Sequence, residues 1–194
     1  MSFTPRQSWL DRQAVLDDPR AMRALAHPIR LEMLEYLGRV PDASATECSE
    51  HVAASPSACS YHLRTLAKWG LVEGAPSTDG RERRWRKVSQ GLRWTHRGRP
   101  DALPAMAALR KTFIDRDLAF LDAYIRAEPD LPLEWQDALY SQATLVITAQ
   151  ELEEVGLRLF EILEPYFPQN RAENPPEGAR EVNFAAFGVP RLDR

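Results

Sequence analysis

The chain has 194 residues, enough for one sizeable core or for a small module with a second small unit beside it. Its composition, 44% hydrophobic and 27% charged, is that of a globular protein, and no uncharged apolar run approaches the roughly 18 residues that a membrane helix needs. The net charge of −3 speaks against a nucleic-acid partner only until its spread is counted: −2 over residues 1–56, +7 over 57–99 and −8 over 100–194. A basic block between less basic flanks is the footprint of a phosphate-binding surface.

The opening residues MSFTPRQSWLDRQ hold no apolar stretch or small-residue cleavage site, so the expected location is the cytoplasm, at the nucleoid. Asp18-Pro19 opens a helix through Met22 and Leu25, with Asp as N-cap and Pro at the first helical position. His27-Pro28 interrupts it. A second helix follows with Ile29, Met33, Leu34 and Leu37 at helical spacing, ended by Gly38. Ser44 and Glu47 have capping-box spacing and start a short helix over about 45–53. Ser55-Pro56 starts the next, which runs to Trp69 with Gly70 as its stop. Two short helices joined by a tight turn read as helix-turn-helix.

Strands are predicted at 71–75 and 83–88, with the turn-rich Pro76–Gly80 between them, making a hairpin wing over 76–87. Residues 89–100 read as a linker. A long helix is predicted over 102–126, a short one over 133–142, a strand at 144–148, and a helix from the capping box Thr148–Glu151 to about 166. A last strand at 181–188 is expected to pair with 144–148, since each lone ladder would otherwise stay unpaired. The expected fold is thus mainly α (α+β): a winged helix-turn-helix domain over 18–90, and a helical dimerisation region over 101–194 with a small two-stranded element.

The helix over 56–69 divides into two faces. Cys59, His62, Leu63 and Leu66 share one, suited to packing. Ser57, Ala58, Ser60, Tyr61, Arg64, Thr65 and Lys68 occupy the other, short and polar at the start and basic further on. A recognition helix needs that order, because its first turns enter the major groove and its later residues meet phosphates. Arg64 suits a bidentate contact to guanine. Behind it, Arg81, Arg83 and Arg84 of the wing are expected beside the DNA backbone or in the minor groove, and Trp85 is expected to pack inward.

Residues 19–88 resemble the ArsR-type winged-helix regulators. The resemblance is carried by LAHPIRLEMLEYL (25–37), by SATECSEHVAASPSACSYHLRTLAKWGLV (44–72) and by the wing segment GRERRWR. It implies a homodimer on an inverted-repeat operator, a repressor released by a signal, with flanking helices as the dimer interface. The surplus apolar surface of the long helix fits that, through Leu103, Met106, Leu109, Phe113 and Phe120. The chain departs from the metal-sensing members. Cys48 stands alone where they carry a CxC pair, and the long helix contains no histidine, so no metal or other cofactor is expected. Cys48 and Cys59 read as core residues before they read as a redox pair.

No residue pattern assembles a catalytic group, so no enzyme is expected. The expected partners are double-stranded DNA and a second copy of the chain. C-terminal aromatics such as Phe113, Phe120, Trp135, Phe160 and Phe167 read first as dimerisation and packing residues and second as the lining of a pocket for a small-molecule effector. The sequence leaves the input signal open among a small organic ligand, a partner protein and temperature. The alternative is a winged-helix protein-interaction module without specific DNA reading.

Overall fold

The computed structural model describes residues 13–76, 82–89, 91–96, 98–137, 139–171 and 174–192. In chain order the elements are β1 (Gln13–Leu16), α1 (Pro19–Leu25), α2 (Pro28–Tyr36), α3 (Ala45–His51), α4 (Pro56–Lys68), β2 (Val72–Ala75), β3 (Arg84–Lys87), β4 (Gly91–Trp94), α5 (Leu103–Ala127), α6 (Ala149–Leu163) and α7 (Pro168–Arg171).

The helix starts follow the capping chemistry. The Asp18 carboxylate accepts from the Arg20 amide at 2.7 Å, and the Arg20 side chain on the same carboxylate holds its pKa down to about 2. Ser44 and Glu47 form a reciprocal box, as do Thr148 and Glu151. The Ser55 hydroxyl accepts from the Ala58 amide ahead of α4. That helix ends in a Schellman turn: the Leu71 amide reaches the Leu66 carbonyl and the Gly70 amide reaches Ala67. Gly70 sits at φ +67°, a conformation that a side chain would strain.

One core holds the first half together. Met22 and Leu25 from α1, Met33 and Leu34 from α2, Cys48 from α3, and Cys59, Leu63 and Leu66 from α4 are sealed from solvent, with Leu71, Val72 and Trp85 from the hairpin. β2 and β3 pair antiparallel, Val72 opposite Lys87 and Ala75 opposite Arg84. Trp85 also exchanges two backbone hydrogen bonds of 2.8 Å with Ala43, which ties the wing to the residues leading into α3.

The structure corrects the sequence reading at four places. The segment read as a linker contains β4, which pairs in parallel with β1, Gln13 opposite Gly91 and Leu16 opposite Trp94. The second two-stranded element therefore lies at the base of the winged unit and not at 144–148 with 181–188, neither of which forms a strand. In the former segment Val146 is fully exposed and Leu145 largely so; a strand with no neighbour to cover a face gains nothing from extending. The helix expected at 133–142 is reduced to one 3-10 turn, Leu133–Trp135. Leu133 and Leu139 both stay exposed, so no apolar face is buried to pay for an intrinsically marginal ten-residue helix.

The fourth correction concerns α5. Met106 and Leu109 do not face outward. Both are sealed, with Ala105, inside the core that α1 contributes to, and α1 against α5 is the most extensive helix packing in the chain. Phe113 is half-buried against Trp94, ring centroids 4.9 Å apart. The remainder of α5 projects beyond the core, leaving Ile114, Leu118, Phe120, Leu121 and Ile125 exposed, as Leu103 is at its start.

Candidate nucleic-acid interface

α4 lies with one face in the core and the other in solvent. Cys59, His62, Leu63 and Leu66 are buried, while Ser57, Tyr61, Arg64 and Lys68 are exposed and Ala58, Ser60 and Thr65 are half-exposed. The expected reading face is therefore the free face. It carries no carboxylate, because the helix sequence contains none. Its side chains are also partly arranged. Arg64 Nη2 donates to Ser60 Oγ at 2.8 Å, one turn back, so the guanidinium is drawn toward the helix N-terminus. Thr65 donates to the Tyr61 carbonyl. Lys68 lies over the Trp69 ring, with Arg20 of α1 also 5.7 Å from that ring.

The wing residues fare differently from one another. Arg81 lies outside the described residues. Arg83 is exposed, its guanidinium 4.1 Å above the Trp85 ring, and Trp85 packs inward as its alternation with the arginines suggested. Arg84 turns back to the helices: it pairs with Asp42, reaches Glu47 at 3.2 Å and donates to the Asp42 carbonyl. It is a brace between wing and α3 and is not presented outward as the sequence reading had it. Arg86 pairs across the hairpin with Glu73 at 2.7 Å. Among the described residues, Arg83 is thus the wing arginine left without an acid partner.

Sequence reasoning passed over one cluster beside α4. His27, at the N-cap of α2, makes no capping bond with its side chain; its ring lies 4.8 Å from that of His62. Tyr61 stands edge-on to His62 at 5.5 Å. His27 Nδ1, His62 Nδ1 and Arg30 Nε are buried without any hydrogen-bond partner. Burial lowers the pKa of both imidazoles, with Arg30 adding to the effect on each. The spacing of His27 and Arg30 in AHPIR was the only available hint, and it does not show that α4 brings a second imidazole alongside.

Cys48 and Cys59 are buried free thiols. Burial pushes Cys48 up to about 11, with Cys59 nearby adding to it, and Cys59 is raised by burial as well. Among the described residues no group of three or more His, Cys, Asp or Glu converges as a metal site. Nor is any described helix long and apolar enough to cross a membrane. The C-terminal aromatics do not close around one cavity. A half-open cleft of about 700 Å³ runs between the α2–α3 connection, β3, α5 and the C-terminal segment, and of these aromatics only Phe120 and Phe167 line it. Its floor holds Lys87, whose ammonium is disfavoured by burial, and Glu35, which pairs with Arg116.

Residues 27–74, which run from His27 through α4 into β2, match the family model described as bacterial regulatory protein, arsR family. Among solved structures, an ArsR-like transcriptional regulator from Rhodococcus sp. RHA1 is 30% identical, over 55% of this chain and 84% of that one, with a TM-score of 0.30. The two are alike in segment sequence rather than in overall superposition. No curated protein matches the chain.

Proposed function

Since its helix-turn-helix makes this chain a DNA-binding transcriptional regulator of the ArsR family, we propose that it acts as a homodimeric repressor on an inverted-repeat operator. The observation that carries the reading is the free face of α4, polar at its start, basic further along and without carboxylates, followed in the chain by a hairpin that exposes Arg83. α4 enters the major groove with Ser57, Ala58, Ser60 and Tyr61 at base edges or phosphates, Arg64 on a guanine, and Thr65 and Lys68 toward the backbone. Arg83, and Arg81 with it, flank the duplex. Arg84 is not needed for contact, because its charge is spent on Asp42 and Glu47.

The dimer forms through the outer part of α5, where Ile114, Leu118, Phe120, Leu121 and Ile125 leave an apolar face without cover in one protomer. Leu103 flanks that surface and Phe113 reinforces it from the core side. Met106 and Leu109 support it from within. A small-molecule effector fits the cleft beside Lys87, which joins the wing strand to α5; a carboxylate with an apolar body would suit the ammonium and Phe120.

The test is titration of the chain's own upstream region against a random duplex at several salt concentrations. Binding should fall steeply with salt as counterions are released, and the upstream region should win at every salt. Equal affinity for the two duplexes would overturn the sequence-specific reading and favour a winged-helix protein-interaction module.

A further inference from the structure

The cluster beside α4 joins a buried imidazole, His62, to two half-exposed side chains, His27 and Arg30, and among the described residues it holds no counter-charge. Among the described residues Arg30 forms no ion pair or hydrogen bond, and its Nε is buried without a partner although the side chain as a whole is half-exposed. The groups that face the two imidazoles are Arg30 from α2 and Tyr61 from α4, and among the described residues no carboxylate acts on Arg30 or on either ring. α1 brings no charged group to them. Three unpaired nitrogens therefore gather at the flank of the recognition helix, next to an exposed tyrosine on its reading face.

We infer that His27, Arg30 and His62 form an anion seat that takes a phosphodiester of bound DNA, and that filling it draws a proton onto the imidazole pair, so that DNA binding is coupled to pH. The inference rests on the DNA-reading assignment and adds a contact outside both the recognition face and the wing. A phosphate oxygen supplies the acceptor that Arg30 lacks. Its negative charge also reverses the local field: alone, each cation disfavours the protonation of its neighbours, whereas an anion among them favours it. The sign then follows. The free protein keeps the imidazoles neutral near pH 7, the DNA-bound protein holds them charged, and binding must take up protons and tighten as pH falls toward 6. His51, stacked on Tyr36 at 3.9 Å, and His96, which accepts from the Gly98 amide, lie outside the cluster and serve as internal comparisons.

The experiment is binding of the full chain to a short mixed-sequence duplex at fixed low salt. It is followed by anisotropy from about pH 7.5 to 6, with calorimetry in two buffers of different ionisation enthalpy to count protons. Full coupling of one proton changes Kd by up to about tenfold per pH unit, so a tightening of about three- to tenfold per unit and net proton uptake are expected. His27→Gln with His62→Gln should flatten the slope to less than about twofold. Arg30→Gln should weaken binding and lower the salt slope by about one. Arg64→Ala should weaken binding at all pH values and leave the pH slope intact. Undiminished binding with a flat pH profile and no proton uptake in the wild-type protein would overturn the anion seat while leaving the DNA-reading assignment standing. So would a profile that His51→Gln, and not the His27/His62 pair, abolishes. Absence of binding to any duplex would instead overturn the DNA-reading assignment and the seat with it. The wild-type calorimetry needs no variant, so a loss of fold in the imidazole variants would not blunt the test.

Discussion

Leu109→Ala separates the two roles that α5 can play. Leu109 is fully sealed among α1 and α5 side chains, with Met22 and Leu25 of α1 equally sealed. Truncating a leucine in such a site costs its transfer free energy plus that of the cavity left behind, about 2–5 kcal/mol in all. α1 is also held by its Asp18 cap and by packing on α4 and β1, so it cannot readily shift to fill the cavity, and a value of about 3–4 kcal/mol is expected. Urea denaturation followed by tryptophan fluorescence reads the loss, at two protein concentrations about a hundredfold apart. An association-linked side chain would lose its effect on dilution; Leu109 should not, because its partners lie in its own protomer. A variant within about 0.5 kcal/mol of the wild type at high dilution would refute the placement of Leu109 in the monomer core.

Phe120→Ala should do the opposite, leaving dilute stability nearly unchanged and raising the dimer dissociation constant in sedimentation. Arg64→Ala should weaken binding to the preferred site by about 1–3 kcal/mol and to random duplex far less, as competition titrations would show. Arg84→Ala should lower the denaturation midpoint and leave the salt slope of DNA binding unchanged, whereas Arg83→Ala should reduce that slope by about one at little cost to stability. The lowered pKa values of His27 and His62 make the fold bind fewer protons than the unfolded chain. The stability they contribute is therefore present above about pH 6.5 and lost as pH falls below it, visible as a declining midpoint in DNA-free protein. The raised thiols predict that Cys48 and Cys59 resist alkylation near neutral pH until the protein unfolds; rapid labelling of the native protein would contradict their burial.

The first half of the fold was legible because its signals are local and redundant. Asp18, Ser44 and Ser55 each mark a helix start by side-chain chemistry, proline follows two of them, and the division of α4 into two faces needs only the helical period. What stayed hidden depends on distant partners. Nothing within GLRW announces a strand; it becomes one because QAVL, more than seventy residues earlier, offers a ladder. Arg84 looks like Arg83 in sequence, and only the fold places Asp42 and Glu47 within its reach. Leu109 and Phe120 belong to one apolar stripe by spacing, but α1 covers only the first part of α5. The C-terminal half misled for the opposite reason: 144–148 has strand composition without a neighbour, and composition alone cannot supply one.

The parallel pairing of β1 with β4 has a mechanical consequence. β1 leads into α1 and β4 leads toward α5, so the chain enters the winged unit at one end of this short ladder and leaves it at the other. Tension drawn along the strands through α5 loads all four residue pairs in shear at once, where an antiparallel hairpin pulled at its open end would unzip one pair at a time. The two strands can therefore part along this direction only by breaking all four pairs together.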